Sequence, residues 1–361
     1  ADWRSGREDR GPVSKNRAKL ALLALLALVL SSCSTIGIQD GVLDSLSPAG
    51  PIAEDLANLY WLVFGIAVVV FAVVHIGLIY AIIRFRERKG DETEPKQVEG
   101  NPVLEVVWTV IPVVILAAIA VPTVERVFRY TDCAPDSMRV EVIGHQWWFE
   151  YYYPDYDIWT ANELNIPAGE EVCLEMTSED VLHNYWAPKL NGKRYLIPGE
   201  QTLLLMETNP IAEGGDPEEY YVHCAEFCGL SHARMRGRVI AMTQSDFDAW
   251  VANQQLPAAE PEGELAEQGL ELFGSQGCAA CHLIRGDYDE SGDNTVLIGP
   301  DLTHFASRGS FAGSTLEYED PDALKLWLAD PPTWKPGSFM PNLGLTESDI
   351  EALEAYLRSL E

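Results

Sequence analysis

Two blocks almost free of charge dominate the early part of the chain, "LANLYWLVFGIAVVVFAVVHIGLIYAII" from residue 56 to 83 and "VLEVVWTVIPVVILAAIAVPTV" from 103 to 124. Each exceeds the roughly 20 apolar residues that carry a helix across about 30 Å of hydrocarbon. Inside a bilayer such segments must satisfy their backbone groups internally, so a two-helix membrane hairpin is expected. Between the blocks stands "RFRERKGDETEPKQ", with Arg84, Arg86, Arg88 and Lys89 directly against the end of the first span. Short cationic loops stay cytoplasmic, which puts everything after residue 125 on the outer face of the cell membrane.

A shorter apolar run, "LALLALLALVLSSCS", follows Lys15, Arg17 and Lys19, and it has the make-up of an export signal over residues 1–32. Leu30-Ser31-Ser32-Cys33 resembles a bacterial lipobox, whose cysteine receives lipid; a plain signal peptide is the other reading. Ionisable residues in spans are functional candidates by default, and His75 and Glu105 are the two in or near these spans. His75 has no ionisable companion and is expected to pack against a helix. Glu105 lies near the cytoplasmic mouth of the second span, either as an interfacial carboxylate or as a proton entry point. The balance of 25 Lys+Arg against 55 Asp+Glu, a net charge of −30, argues against nucleic acid and favours a basic partner or a self-repelling surface.

From residue 140 to about 242, short runs such as "MRVEVIG", "EVCLEMTS", "QTLLLMET" and "GRVIAMT" alternate apolar and polar residues. Turn clusters such as "IPAGE" and "EGGDP" separate them, the pattern of an antiparallel sandwich or barrel. "WVANQQLPAAEPEGE" then turns Pro-, Ala- and Glu-rich, and helical spacing takes over in "ELAEQGLELFGSQ" and "TESDIEALEAYLRSL", where Thr346 and Asp349 suggest an N-terminal cap. The expected order is a hairpin with its N-terminal segment over 33–125, a β module over 126–250, a linker over 251–262 and an α module over 263–361.

Two motifs carry the chemistry. "CAACH" at 278–282 is the c-type haem attachment signal, in which the thiols of Cys278 and Cys281 add to the vinyl groups and His282 binds the iron. Met340 in "GSFMPNLG" is the expected second axial ligand, a thioether that raises the potential and suits electron transfer; His304 is its rival. The stretch "HCAEFCGLSHARM" at 223–235 gathers Cys224, Cys228, His232 and Met235 at spacings of four, four and three. Thiolate, imidazole and thioether together favour copper over zinc, and a second in-line thiolate allows two ions to be bridged. A disulfide between the two cysteines is the competing reading.

This Cys-x-Glu-x-Cys-x3-His-x2-Met pattern resembles the dinuclear copper A loop of cytochrome c oxidase subunit II. "DVLHNYWAPKLNGKRYLIPGE" at 180–200, "GHQWWFEYYY" at 144–153 and "LEVVWTVIP" at 104–112 extend the likeness over residues 56–242, and 263–361 resembles class I cytochrome c. A subunit II with a fused cytochrome is similar to the caa-type haem-copper oxidases. The resemblance implies a multidomain membrane protein with a two-helix hairpin, a cupredoxin-like β-sandwich and an all-α cytochrome domain. It implies that Cys224 and Cys228 bridge two coppers, with His183 and Met235 completing one and His232 and the Glu226 carbonyl completing the other. It implies a magnesium or manganese ion reached by the Glu226 side chain at the border with subunit I, electron entry at Trp147, and a proton channel mouth at Glu105. His145 and His223 lie outside the implied ligand set.

The implied activity is electron entry to a proton-translocating cytochrome c oxidase. A donor, either a basic cytochrome c or a bc-type complex, passes electrons through haem c and copper A to subunit I, alongside other oxidase subunits. A copper A-dependent nitric oxide reductase is the alternative. With one cysteine assigned to lipid, two to copper and two to haem, Cys133 and Cys173 are left to form a disulfide, an inference from compartment and parity. Two departures stand out: Tyr195 replaces the aspartate of the family's Lys-x-Asp segment, and Glu200 stands where an arginine is often found. They leave the proton exit open.

Overall fold

The structure, a computed structural model, describes residues 41–86, 94, 97–288 and 298–361. The expected export signal, Cys33, Arg88 and Lys89 lie outside the described residues.

Helix α1, Pro51–Arg84, and helix α2, Pro102–Arg129, have mean hydropathies of 2.9 and 2.5 in their most apolar windows, and none of those windows is buried inside the chain. Their apolar side chains therefore face outward, as a hydrocarbon environment requires. At the end remote from the cationic loop a polar clamp joins them: Arg126 Nη2 donates to Asp55 Oδ1 at 2.7 Å and the Tyr130 hydroxyl to Asp55 Oδ2 at 2.8 Å. Just before α1, Ala49 exchanges backbone hydrogen bonds with Lys189 and Asn209, which fixes the hairpin to the β module. His75 stacks on Phe71 of its own helix, with ring centroids 3.8 Å apart, and its Nδ1 lies 2.8 Å from the Phe71 carbonyl. Glu105 is exposed in the first turn of α2, where Asn101 caps the backbone.

The β module is a sandwich of two five-stranded sheets. The first runs in the order β3 (Ile158–Ala161), β2 (Trp148–Tyr153), β1 (Met138–His145), β5 (Val172–Ser178), β8 (Thr202–Met206). The second runs β4 (Glu163–Pro167), β10 (Arg236–Met242), β9 (Glu218–Cys224), β6 (His183–Trp186), β7 (Lys193–Leu196). Val140, Val142, Phe149, Tyr151, Leu164, Ile166, Leu174, Tyr185, Val222 and Val239 fill the space between them and are fully buried. The sheets are not purely antiparallel, as the alternation suggested: β1 pairs β5 in parallel, and β4 pairs β10 in parallel. Parallel neighbours need long crossovers, and here intervening strands from both sheets supply them. Alternation reports which face is buried and is silent on direction. Cys133 and Cys173 form a disulfide that ties the segment before β1 to β5.

Helix α3, Gln244–Gln254, follows the sandwich and takes in the first residues of the expected linker. The α module is built on α4 (Glu264–Ser275) crossed by the C-terminal α7 (Glu347–Leu357), with α5 (Ala323–Ala329), the single turn α6 (Pro331–Trp334) and a small β11–β12 ribbon (Ser310–Phe311, Leu316–Glu317) between them. The helices cross so closely that a Cβ at Gly269 would fall 2.1 Å from the Ala352 carbonyl oxygen. Thr346 caps α7 in a reciprocal box with Asp349, as its sequence suggested.

Candidate functional site

The loop after β9 and the start of β6 bring the expected donors together. Tyr185 of β6 pairs with Cys224 of β9, so the sheet itself sets His183 beside the first cysteine across 41 residues of chain. Cys224 Sγ lies 3.7 Å from Cys228 Sγ, 3.9 Å from His183 Nδ1 and 3.2 Å from the Glu226 carbonyl oxygen. Cys228 Sγ lies 3.6 Å from His232 Nδ1 and 3.8 Å from Met235 Sδ. Every donor predicted from the sequence is thus in one cluster, and Cys224, Cys228, His183 and Met235 are buried. The two cysteines carry free thiols, not the competing disulfide.

The donor set fits a soft cationic pair. A hydrogen bond from Cys228, opposed by burial, holds the Cys224 thiol down to about 3, and the same shared proton holds Cys228 up. Two adjacent thiolates repel each other, and cations between them remove that penalty. Asp180 Oδ1 sits 2.8 Å from His183 Nε2, which fixes the ring with Nδ1 toward the sulfurs. Burial opposes ionisation of Asp180, but hydrogen bonds from His183 and from the Val181 and Gln146 amides outweigh it and hold the carboxyl below its usual range. Asp180 escaped the sequence reading; its place three residues before His183 was the available signal.

Trp147 closes the cluster. Its Nε1–H donates to the Cys228 carbonyl at 3.0 Å, and Gln146 Nε2 donates to the same oxygen at 2.6 Å. His145 is a buried structural histidine, stacked on Trp148 and 3.0 Å from Glu150. His223 alternates away from the cysteine that follows it, on the strand face opposite Arg236. Tyr195, the residue in place of the expected aspartate, donates its hydroxyl to Glu226 Oε2 at 3.1 Å.

In the α module, Cys278, Cys281, His282 and Met340 line one largely apolar cavity of about 250 Å³. These residues fit a haem. His282 Nδ1 is 2.8 Å from the Pro300 carbonyl, which orients the ring and leaves Nε2 for iron. Gly299 lies so near that ring that a Cβ would stand 2.5 Å from His282 Cε1. Both thiols are free. His304, the rival ligand, is engaged elsewhere, with Nδ1 2.7 Å from the Glu361 carbonyl and Nε2 3.1 Å from that of Leu256. Trp147 and Trp148 of the sandwich line the same cavity.

Comparison with known proteins gives the same order of modules. Residues 37–125 match the model for the cytochrome c oxidase subunit II transmembrane domain, 158–242 that for its periplasmic domain, and 266–361 that for cytochrome c. The chain is 35% identical to cytochrome c oxidase subunit 2 of Alkalihalophilus pseudofirmus, over 96% of this chain and 98% of that protein. It is 34% identical to the Bacillus subtilis protein of the same name, over 95% and 97%. A quinol oxidase subunit 2 of Bacillus spizizenii is 32% identical over 69% of this chain and 76% of that protein.

Proposed function

Because this chain belongs to the cytochrome c oxidase subunit II family, we propose that it is the electron-entry subunit of a caa-type oxidase. It receives electrons from a donor and delivers them through haem c and copper A to subunit I, which reduces oxygen to water and pumps protons. The observation that carries this reading is the single buried cluster of two thiols, two imidazoles, a thioether and a carbonyl, closed by a tryptophan that also lines the haem cavity. When bound, the haem and the copper pair supply one-electron exchange.

The protein's own residues hold and shield these groups. Cys224, Cys228, His183, His232, Met235 and the Glu226 carbonyl would together hold the copper pair. Asp180 keeps His183 in its ligating orientation. Cys278 and Cys281 would attach the haem through their thiols, and His282 and Met340 would hold its iron. Trp147 is the electron entry point, and its bond to the Cys228 carbonyl ties it to a copper ligand. The Glu226 carboxylate would reach a magnesium or manganese ion at the border with subunit I, with Tyr195 as its hydrogen-bond donor where the family has an aspartate. Glu105 marks the mouth of the proton channel. The two modules lie on the outer face of the membrane, and their acidic surface fits a basic cytochrome c as donor.

Purification of the intact complex tests the reading. Two coppers and one covalent haem in this subunit, together with oxygen consumption, are expected. Zinc, a single copper, or consumption of nitric oxide in place of oxygen overturns it. A stopped-flow salt series is expected to show donor oxidation slowing as ionic strength rises; acceleration rules out the basic donor.

A further inference from the structure

Three residues of the α module converge on Trp147 of the sandwich. Lys335, only 5% exposed, donates from Nζ to the Trp147 carbonyl at 2.5 Å. Gly313 lies so close that a Cβ would stand 2.7 Å from Lys335 Nζ and 2.9 Å from the Trp147 carbonyl oxygen. Gly337 lies against the indole: a Cβ there would meet Trp147 Cη2 at 2.7 Å, and its φ of +81° is itself one that side chains resist.

Around this seat runs a ring of hydrogen bonds between the modules. The Arg236 amide donates to the Gly313 carbonyl at 3.1 Å, and Ser231 Oγ to the Pro336 carbonyl at 2.7 Å. On the far side Glu163, buried in β4, accepts from the Gly309 amide at 3.1 Å and Ser310 Oγ at 2.7 Å. Arg238, buried beside it, reaches both Glu317 oxygens of β12, at 2.5 and 2.6 Å. Burying a lysine, an arginine and a glutamate costs free energy unless each is hydrogen-bonded. Here the partners of all three include groups across the module boundary, so separating the modules would strip those bonds from them.

We propose that the cytochrome module is seated in one fixed pose on the copper domain, with Lys335 as the positioning residue that holds its haem cavity against Trp147. The module is therefore docked and not a freely swinging tether. This rests on the electron-entry reading only for its consequence, the haem-to-copper step; the docking itself stands on the contacts alone. Lys335 supplies a donor to the Trp147 carbonyl, and Gly337 supplies the absence of a side chain that lets the indole approach.

The test uses the full-length chain in the purified complex, with Lys335→Met and Gly337→Ala. Hydrogen exchange is read at the Arg236 and Gly309 amides, which bond across the boundary, and at α4 and α7, which do not. Wild type is expected to protect both boundary amides. Lys335→Met is expected to raise their exchange at least roughly tenfold, about what loss of one hydrogen bond to a charged group delivers, and Gly337→Ala to raise it because its new Cβ meets the indole. Flash-initiated haem-to-copper transfer should slow at least as much, with α4 and α7 exchange unchanged.

Boundary amides that exchange freely in wild type overturn the fixed pose outright. Protection and transfer rate both unchanged in Lys335→Met overturn its positioning role, as does a loss of protection that spreads to α4 and α7. A wild-type complex that binds no copper pair yet protects the boundary amides would remove the electron-entry reading and leave the docking intact.

Discussion

The two redox modules solve the same problem in opposite ways. In the sandwich the donors are assembled by the backbone: the β6–β9 register sets His183 against Cys224, and a loop of twelve residues from Cys224 to Met235 supplies the rest. Donor atoms already stand within 3.9 Å of a neighbouring sulfur. In the α module the four residues sit around an apolar cavity on segments up to 62 positions apart, and little regular structure spans them. A strand register and one short loop can gather a compact cluster of donors, whereas a large planar group needs walls gathered from the whole domain.

The comparison can be broken most directly at its bridging atom. Cys228→Ser removes one of two thiolates, and the copper cluster should be lost almost entirely, with its purple colour and mixed-valence resonance, while covalent haem stays. Retention of two coppers would show that the sulfur does not bridge. Met340→Ala should keep the haem attached but lower its midpoint potential by on the order of 100 mV or more, since a thioether opposite histidine raises it. His304→Ala should leave the potential in place, because both its nitrogens already face carbonyl oxygens.

Smaller effects sharpen the contrast between backbone-built and cavity-built sites. Asp180→Ala leaves the ligands but frees the His183 ring, and copper affinity should fall about 10- to 100-fold by competition titration with a chelator. Removing the disulfide with Cys173→Ala opens a link across 40 residues, which should cost about 4 kcal/mol of sandwich stability in chemical denaturation. Thr346→Ala deletes half of the α7 capping box and should cost about 1 kcal/mol in the cytochrome module. An equal loss of copper binding in that last variant would argue that the modules fold as one unit.

Much of the site was legible because its chemistry is dense in the chain. Cys224, Cys228, His232 and Met235 announce a metal by spacing, and "CAACH" announces a haem. The parallel strand pairs were not legible, since side-chain alternation is identical in either direction. Helix α3 was hidden by the Pro- and Glu-rich stretch that follows it. Lys335 gave no signal at all: in "PPTWKPGSF" it reads as an ordinary exposed turn lysine.

By itself, then, the amino-acid order determined the membrane hairpin, the β-then-α succession and nearly every side chain of the candidate copper and haem sites, because hydropathy, periodicity and motif spacing are local properties. Tertiary structure alone decided which carboxylate steadies His183, that Tyr195 meets Glu226, and that Lys335 and Gly337 seat the haem cavity on Trp147. Those pairings join residues by burial and hydrogen bonding across distant segments, and no local pattern encodes which distant surface a buried charge will find.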